Sequence, residues 1–403
     1  MVWPSTSRNA DFLIAVRNSF LLFPCLFALA ACSQGRLDQA YPASGLLAGE
    51  TFTAKLDSPI ARYYLEDYPD VHPDGWYEKI AEFESRLSDE GLSQALLGEV
   101  TRATDSVDLA ALMFARHIRA GEGNRHWQAC VTEASQGLRS ADDLRDLLIF
   151  NAADNYKILF APGWLYEDNA QTEADFARTR ASLDHTPLEY HFVPTPQDGS
   201  VESNAEMLAD AIRDYQGTDL NLIVVSASKS AAEVHWALGT LLTPEEGEAV
   251  VAWVNAGGVL GGTPLADQWT RFPRNLMARL VFLRYGWNWN SLHSLRTDRS
   301  RERLEKARLP ENLPVINYVA VPMTTQVSEG ARGRHRFLAR YGPNDGLAPL
   351  MYTKVAGQIS LVESGADHYF LTVDIGTRTL AMTEAVLAFL EGKDCGGGRL
   401  PRP

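Results

Sequence analysis

The stretch "NLIVVSASKSAAEVHWALGTLL", residues 221–242, changes character near its middle. It begins with apolar, mostly β-branched residues, which favour a buried strand. It ends in a segment whose apolar residues recur at helical spacing. Three serines, Ser226, Ser228 and Ser230, lie at the junction. The stretch therefore predicts a strand that runs through a tight turn directly into a helix.

Apolar segments of strand length alternate with helical segments over residues 153–394. The apolar segments are 156–162, 188–194, 220–227, 249–256, 315–323 and 357–364. Such alternation is typical of a mostly parallel sheet that helices cover on both faces. Residues 60–152 show mainly helical periodicity, for instance at Trp76, Ile80 and Phe83. The sequence thus predicts an α/β domain preceded by an N-terminal helical region.

The turn at Ser228 suits nucleophilic chemistry, because sites in parallel sheets gather at the carboxyl ends of the strands. A serine on a sharp strand-to-helix turn presents its hydroxyl, and the first N–H groups of the helix lie beside any oxyanion that forms. Ser226–Ser230 resembles the G-x-S-x-G nucleophile elbow of the α/β-hydrolase family, with serine in both glycine positions. The resemblance covers residues 154–392 and implies that Ser228 is a nucleophile.

The same resemblance extends to the oxyanion hole. "LFAPGWLYED", residues 159–168, follows the first strand of the domain, where family members build half of that hole. Gly163 permits a close approach, and the N–H of Trp164 or Leu165 would be one donor. The N–H of Lys229 would be the other.

A base and an acid follow in the order that the family uses. "RYGPNDGLAP", residues 340–349, places Asp345 in a glycine-rich loop, and "LVESGADHYF", residues 361–370, places His368 beyond the last strand. The resemblance implies that His368 is the general base and that Asp345 orients its ring. Some family members carry the acid one strand earlier, where this chain has Asp267.

Several of these residues have plainer alternatives. Ser228 or Ser230 could cap the helix, and Asn-Asp-Gly could be an ordinary turn. We interpret Asp367 as a solvated or capping group, and the plainer alternative for the side chain of Lys229 is that it faces solvent. Packing is the expected role of His235.

A helical lid is expected over residues 266–312, an interval in which family members often carry an insertion. Its aromatic residues include Trp269, Phe272, Phe282, Tyr285, Trp287 and Trp289. We expect them chiefly to pack the lid onto the body, although they could line an acyl pocket.

The N-terminus carries features of export. An apolar run over residues 20–31 is shorter than the roughly 20 residues that span a bilayer but suits a signal peptide. "LAAC", residues 29–32, resembles the bacterial lipoprotein box, which implies a signal peptide over residues 1–31 and a lipid on Cys32. With Ser33 next, the resemblance implies an anchor in the outer membrane, facing the periplasm. A signal peptide with an incidental cysteine is the alternative.

The remaining segments are expected to be irregular. Residues 32–59 are small and polar and predict a tether, and residues 395–403 predict a disordered tail. Cys130 and Cys395 could pair or stay unpaired, because the sequence gives no distance between them.

Composition narrows the class of function. The formal charge of −14 makes phosphate backbones poor partners, so a nucleic-acid function has little support. The glycines of residues 252–264 do not have dinucleotide-loop spacing, and no motif of a metal site is present, so no cofactor or metal is expected. The resemblance to the α/β-hydrolase family implies a lipase-like or esterase-like serine hydrolase acting on a small-molecule or lipid ester. An acyltransferase and a non-catalytic envelope binding module are the alternatives.

Overall fold

A six-stranded parallel sheet forms the centre of the structure, a computed structural model that describes residues 40–70, 75–140, 147–169, 172–395 and 398–399. The strand order is β4-β3-β5-β6-β7-β8, and each neighbouring pair is parallel. The strands are β3 (Tyr156–Ala161), β4 (Glu189–Phe192), β5 (Asn221–Ala227), β6 (Val250–Ala256), β7 (Val315–Val321) and β8 (Ile359–Ser364). The prediction of an α/β fold with a mostly parallel sheet is confirmed.

Helices cover both faces of the sheet. Their bounds are α1 (Pro59–Glu66), α2 (Trp76–Asp89), α3 (Gln94–Thr104), α4 (Val107–Ala120), α5 (Glu122–Ser140), α6 (Leu148–Asn151), α7 (Ala177–Leu183), α8 (Val201–Arg213), α9 (Ser230–Trp236), α10 (Pro264–Thr270), α11 (Arg274–Tyr285), α12 (Trp289–Ser294), α13 (Thr297–Lys306), α14 (Glu329–Leu338) and α15 (Ile375–Leu390). Alternate strand residues point to opposite faces. In β5, Leu222 and Val224 pack with α8 and α9, whereas Ile223 packs with α5 and α15.

The N-terminal helical region packs onto the sheet. Val319, Val321 and Val362 of β7 and β8 share one hydrophobic cluster with residues of α1 to α4. The region and the sheet therefore stabilise each other by burying a common apolar surface.

The predicted tether is wrong for part of its length. β1 (Tyr41–Leu47) and β2 (Glu50–Leu56) form an antiparallel hairpin that joins the same cluster. Ala48 and Gly49 connect the strands with positive φ angles, as two-residue hairpin turns require. Leu47 and Leu56 are buried, because their spacing places them on the inward face. Residues 32–39 lie outside the described residues.

The predicted disordered tail is also wrong where the structure describes it. Cys395 forms a disulfide with Cys130, with the Cα atoms 5.1 Å apart. β9 (Asp394–Cys395) then pairs with β10 (Gly398–Arg399). The disulfide joins the chain beyond α15 to α5, which packs beside α15. It settles the pairing that the sequence left open.

No helix within the described residues combines the length and the apolar character that crossing a membrane needs. Cys32 and the predicted signal peptide lie outside the described residues. Their export and anchoring remain predictions.

Candidate active site

Ser228 lies on the turn between β5 and α9 with a φ of +58°, in the left-handed region that disfavours residues other than glycine. Such a conformation costs about 1–3 kcal/mol and persists only where its surroundings hold it. Here the Ser228 N–H donates to the carbonyl of Ala256 at 3.2 Å, and the Val259 N–H donates to the carbonyl of Ser228 at 3.0 Å. The end of β6 thus fixes a turn that presents the Ser228 hydroxyl.

The two flanking serines are buried and have structural partners. The Ser230 hydroxyl donates to the carbonyl of Ala161 at 2.6 Å and accepts from the N–H of Ala227 at 2.9 Å. The Ser226 hydroxyl accepts from the indole N–H of Trp253 at 2.8 Å. Both hydroxyls tie neighbouring strands together. Of the three serines, Ser228 is the one whose hydroxyl contacts a candidate base.

His368 connects Ser228 to Asp345. Its Nε2 lies 3.0 Å from the Ser228 Oγ, and its Nδ1 lies 2.7 Å from the Asp345 Oδ2. A ring proton on Nδ1 would donate to the carboxylate and would leave Nε2 to accept from the serine hydroxyl. Asp345 is fully buried, and only 8% of His368 is exposed. The structure thus brings the three predicted residues into one line of contacts.

The two candidate acids have different surroundings. The Asp345 Oδ1 accepts from the N–H groups of Leu347 and Ala348 at 2.8 and 2.7 Å, which orients its other oxygen toward His368. Gly346, at a φ of +95°, allows the tight loop that this geometry requires. Asp267 instead accepts from the N–H and hydroxyl of Thr297 at 3.0 and 2.6 Å, at the start of α13. Of the two candidate acids, Asp345 is therefore the one that contacts His368.

The loop after β3 lies against the nucleophile turn. A Cβ on Gly163 would lie 3.2 Å from the carbonyl oxygen of Ala227 and 3.5 Å from the Ser228 Cβ. The Leu165 N–H donates to the carbonyl of Gln197 at 2.9 Å and is therefore occupied. Within the described part of the chain, the N–H groups of Trp164 and Lys229 have no acceptor. These two groups are free to serve as the oxyanion donors.

The side chain of Lys229 is not solvent-facing, so that interpretation is wrong. It is 2% exposed and forms an ion pair with Glu233, which is fully buried one turn further along α9. Glu233 also accepts from the side-chain amide of Asn204 at 3.0 Å. Burial raises the pKa of Glu233, and the positive charge of Lys229 opposes that shift. The i, i+4 spacing was visible in the sequence, whereas its burial was not.

Asp367 caps a helix and is not solvated. It is 4% exposed and accepts from the N–H groups of Ser328, at the start of α14, and of Tyr369. Burial lowers the pKa of both His235 and His335 to about 4, which keeps these imidazoles neutral near pH 7. His235 packs beside Trp253, as expected.

Helices α10 to α13 fill the interval between β6 and β7 where the lid was expected. The Phe282 ring contacts Trp287 and Trp289 and stacks on Trp164, with centroids 6.4 Å apart. The Trp164 indole N–H donates to Ser291 at 3.2 Å. The lid thus packs onto the residue that supplies a candidate oxyanion donor. Across the described residues, no group of three or more His, Cys, Asp or Glu side chains is arranged to hold a metal ion.

Neither a family model nor a curated protein matches the chain. Among solved structures, a metagenomic carboxyl esterase is 20% identical over 59% of this chain and 76% of its own, with a TM-score of 0.48. A Bacillus licheniformis lipase in its mature form is 19% identical over 53% and 85%, with a TM-score of 0.44. A thioesterase of prodiginine biosynthesis from Streptomyces coelicolor is 16% identical over 58% and 91%, with a TM-score of 0.30. The solved structures to which the chain is similar thus include a carboxyl esterase, a lipase and a thioesterase.

Proposed function

We propose that the protein is a serine hydrolase that cleaves carboxylic esters. The observation that carries the proposal is the line of contacts from Ser228 through His368 to Asp345, at 3.0 and 2.7 Å. The strained turn at Ser228 supports it, because backbone strain of this kind is concentrated at functional sites. The chemistry also needs donors for the oxyanion, and the N–H groups of Trp164 and Lys229 are free to act as these donors.

In the proposed mechanism, the Ser228 Oγ attacks the ester carbonyl while the Nε2 of His368 removes its proton. The N–H groups of Trp164 and Lys229 stabilise the negative oxygen of the tetrahedral intermediate. His368 returns the proton to the leaving alcohol, which leaves an acyl group on Ser228. Water, activated by His368, then releases the acid. Asp345 holds the ring in the required tautomer and stabilises the imidazolium.

The proposal extends to export and a lipid anchor at Cys32. The Cys130–Cys395 disulfide supports export, because disulfides persist in oxidising compartments. Incorporation of a palmitate analogue in a bacterial host, with Cys32→Ala as the control, tests the anchor. Incorporation by both forms would contradict it.

Labelling with a fluorophosphonate probe tests the nucleophile. We expect the wild type to be labelled, and Ser228→Ala to lose labelling and to lower turnover of a short ester by roughly 10³-fold or more. Ser230→Ala is the matched control, because Ser230 binds backbone groups of neighbouring strands. It should fold by circular dichroism and remain labelled. An unlabelled wild type would instead support a non-catalytic binding module, and loss only in Ser230→Ala would place the nucleophile there.

A further inference from the structure

The outer face of lid helix α11 exposes large apolar side chains to solvent. Its exposed large apolar side chains, counted together with Phe272 just before the helix, are Phe272, Leu276, Met277, Leu280, Leu283 and Tyr285. Phe272 and Leu283 are each 79% exposed, and Leu280 is 66% exposed. We call this set the lid face.

The lid face is unusual because the inner side of α11 is apolar as well. Ala278 and Phe282 are buried against the body. A surface helix of a water-soluble protein normally carries polar residues on its outer side, so a row of large apolar side chains there is usually covered. A contiguous exposed apolar patch of this kind marks a surface that binds a partner or a membrane.

The charge of the segment around α11 indicates what kind of partner the lid face binds. Between Asp267 and Asp298 the chain has no acidic residue, although it carries 51 Asp and Glu and a formal charge of −14 in total. The same interval contains Arg271, Arg274, Arg279, Arg284 and Arg296. Arginine interleaved with large apolar residues is typical of helices that lie in the headgroup region of anionic membranes. An acidic protein thus contains a strongly basic, apolar segment in its lid.

We propose that the lid face docks on an anionic phospholipid bilayer. Apolar side chains at 272, 276, 280 and 283 enter the headgroup boundary, and the exposed arginines 271, 274, 279 and 284 contact lipid phosphates. Because Phe282 of the same helix stacks on Trp164, the docked face lies beside the proposed oxyanion hole. The docking itself requires no catalysis, although the substrate class it implies, esters taken from a lipid surface, rests on the proposed function.

A dye placed on the lid face tests the docking in the full chain. Leu280→Cys is labelled with an environment-sensitive nitrobenzoxadiazole dye, in a background where Cys25 and Cys32 are replaced by serine. Glu305→Cys on α13, also exposed but outside the lid face, is the matched control. Each protein is mixed with vesicles of phosphatidylglycerol and phosphatidylcholine at equal parts, or of phosphatidylcholine alone. All variants are also prepared with Ser228→Ala, which keeps binding separate from turnover.

We expect a several-fold rise in emission at position 280 with phosphatidylglycerol vesicles, and a weaker rise with phosphatidylcholine alone. Replacing Arg274, Arg279 and Arg284 by glutamine should lower the apparent affinity for the anionic vesicles by about 10-fold or more. The dye at 305 should respond little. Absence of a response at 280, an equal response at 305, or a rise without lipid that grows with protein concentration would overturn the proposal; the last result would mean that a second copy covers the face.

Discussion

The loop around Asp345 and the lid helix α11 both flank the candidate site, but their side chains meet opposite surroundings. The Asp345 carboxylate is fully buried and accepts two backbone N–H groups in addition to its contact with His368. Leu280 and Leu283 of α11 point large apolar groups into solvent. A buried polar group whose hydrogen bonds are all made is costly to displace. Exposed apolar groups, by contrast, lower the free energy of the system when another surface covers them. The loop thus suits precise chemistry, and the helix suits binding.

Replacing aspartate by asparagine should affect turnover strongly at position 345, in the buried loop, and weakly at position 267, where the lid begins. We expect Asp345→Asn to lower kcat by about 10³ to 10⁴ with KM nearly unchanged, because the amide cannot stabilise the imidazolium of His368. Asp267→Asn, where the lid begins, should change kcat several-fold at most, since Asp267 contacts Thr297 and not His368. The measurement is kcat and KM of both variants on one short soluble ester. If Asp267→Asn lost kcat by this factor and Asp345→Asn kept the wild-type kcat, Asp267 would be the acid.

Two lysines offer a second contrast, in stability. Lys229 and Lys306 each pair with a glutamate on the same helix, but the first pair is buried and the second is about half-exposed. Lys229→Met leaves the charge of Glu233 buried without its partner and should cost about 3 kcal/mol of the free energy of unfolding. Lys306→Met should cost about 0.5 kcal/mol or less. Urea unfolding measures both values, and equal losses would mean that the buried pair contributes no more than an exposed one.

Much of the fold and of the site geometry could be predicted because it depends on local patterns. The alternation of apolar strands with helices predicted the sheet. The small residues around Ser228 predicted the turn on which that serine lies. The contacts of Ser228, His368 and Asp345 fit the predicted roles, which remain a proposal. What the sequence left open depended on distance: whether Cys130 meets Cys395, and whether Asp345 or Asp267 reaches the histidine.

The errors arose where composition suggested a solvent-exposed segment and tertiary contacts decided otherwise. Residues 41–56 are small and polar on average, yet alternation places Leu47 and Leu56 in the core as a hairpin. Lys229 contradicts the interpretation of a solvent-facing side chain, because its ammonium group pairs with the buried Glu233, which also accepts from Asn204. Phe272 departs in the other direction, since an aromatic residue expected to pack is 79% exposed.

The smallest expected contrast between body and lid is the pH dependence of stability. Asp108, at the start of α4, is fully buried and accepts from the N–H and hydroxyl of Thr324 and from the N–H of Asp57. Burial, together with the charge of Asp57, raises the pKa of Asp108 to about 8. In the lid, the hydrogen bond from Arg296 lowers the pKa of Asp298 to about 2. The two carboxyls therefore titrate on opposite sides of neutrality.

The opposite pKa shifts of Asp108 and Asp298 predict that the two groups affect stability in different pH ranges. A raised carboxyl pKa means that the folded state binds a proton that the unfolded state has lost, so Asp108 should make stability fall as pH rises toward 8. Asp298 contributes above its unfolded pKa and loses that contribution only in acid. Between pH 6.5 and 8 the buried imidazoles of His235 and His335, with pKa values of about 4, stay neutral. Only Asp108 among these groups should then change its protonation in the folded state.

We therefore expect the free energy of unfolding of the wild type to fall by about 1.5 kcal/mol between pH 6.5 and 8 through Asp108. Asp108→Asn, which is neutral throughout, should reduce that slope, because the folded state then holds no proton at this position that the unfolded state has lost. Asp298→Asn should leave the slope unchanged, since its side chain is 60% exposed and already ionised over this interval. Urea unfolding at four pH values for the three proteins provides the measurement. If Asp108→Asn and the wild type have the same slope, Asp108 is ionised in the folded protein at pH 6.5, and the buried carboxyl pair with Asp57 carries its charge despite burial.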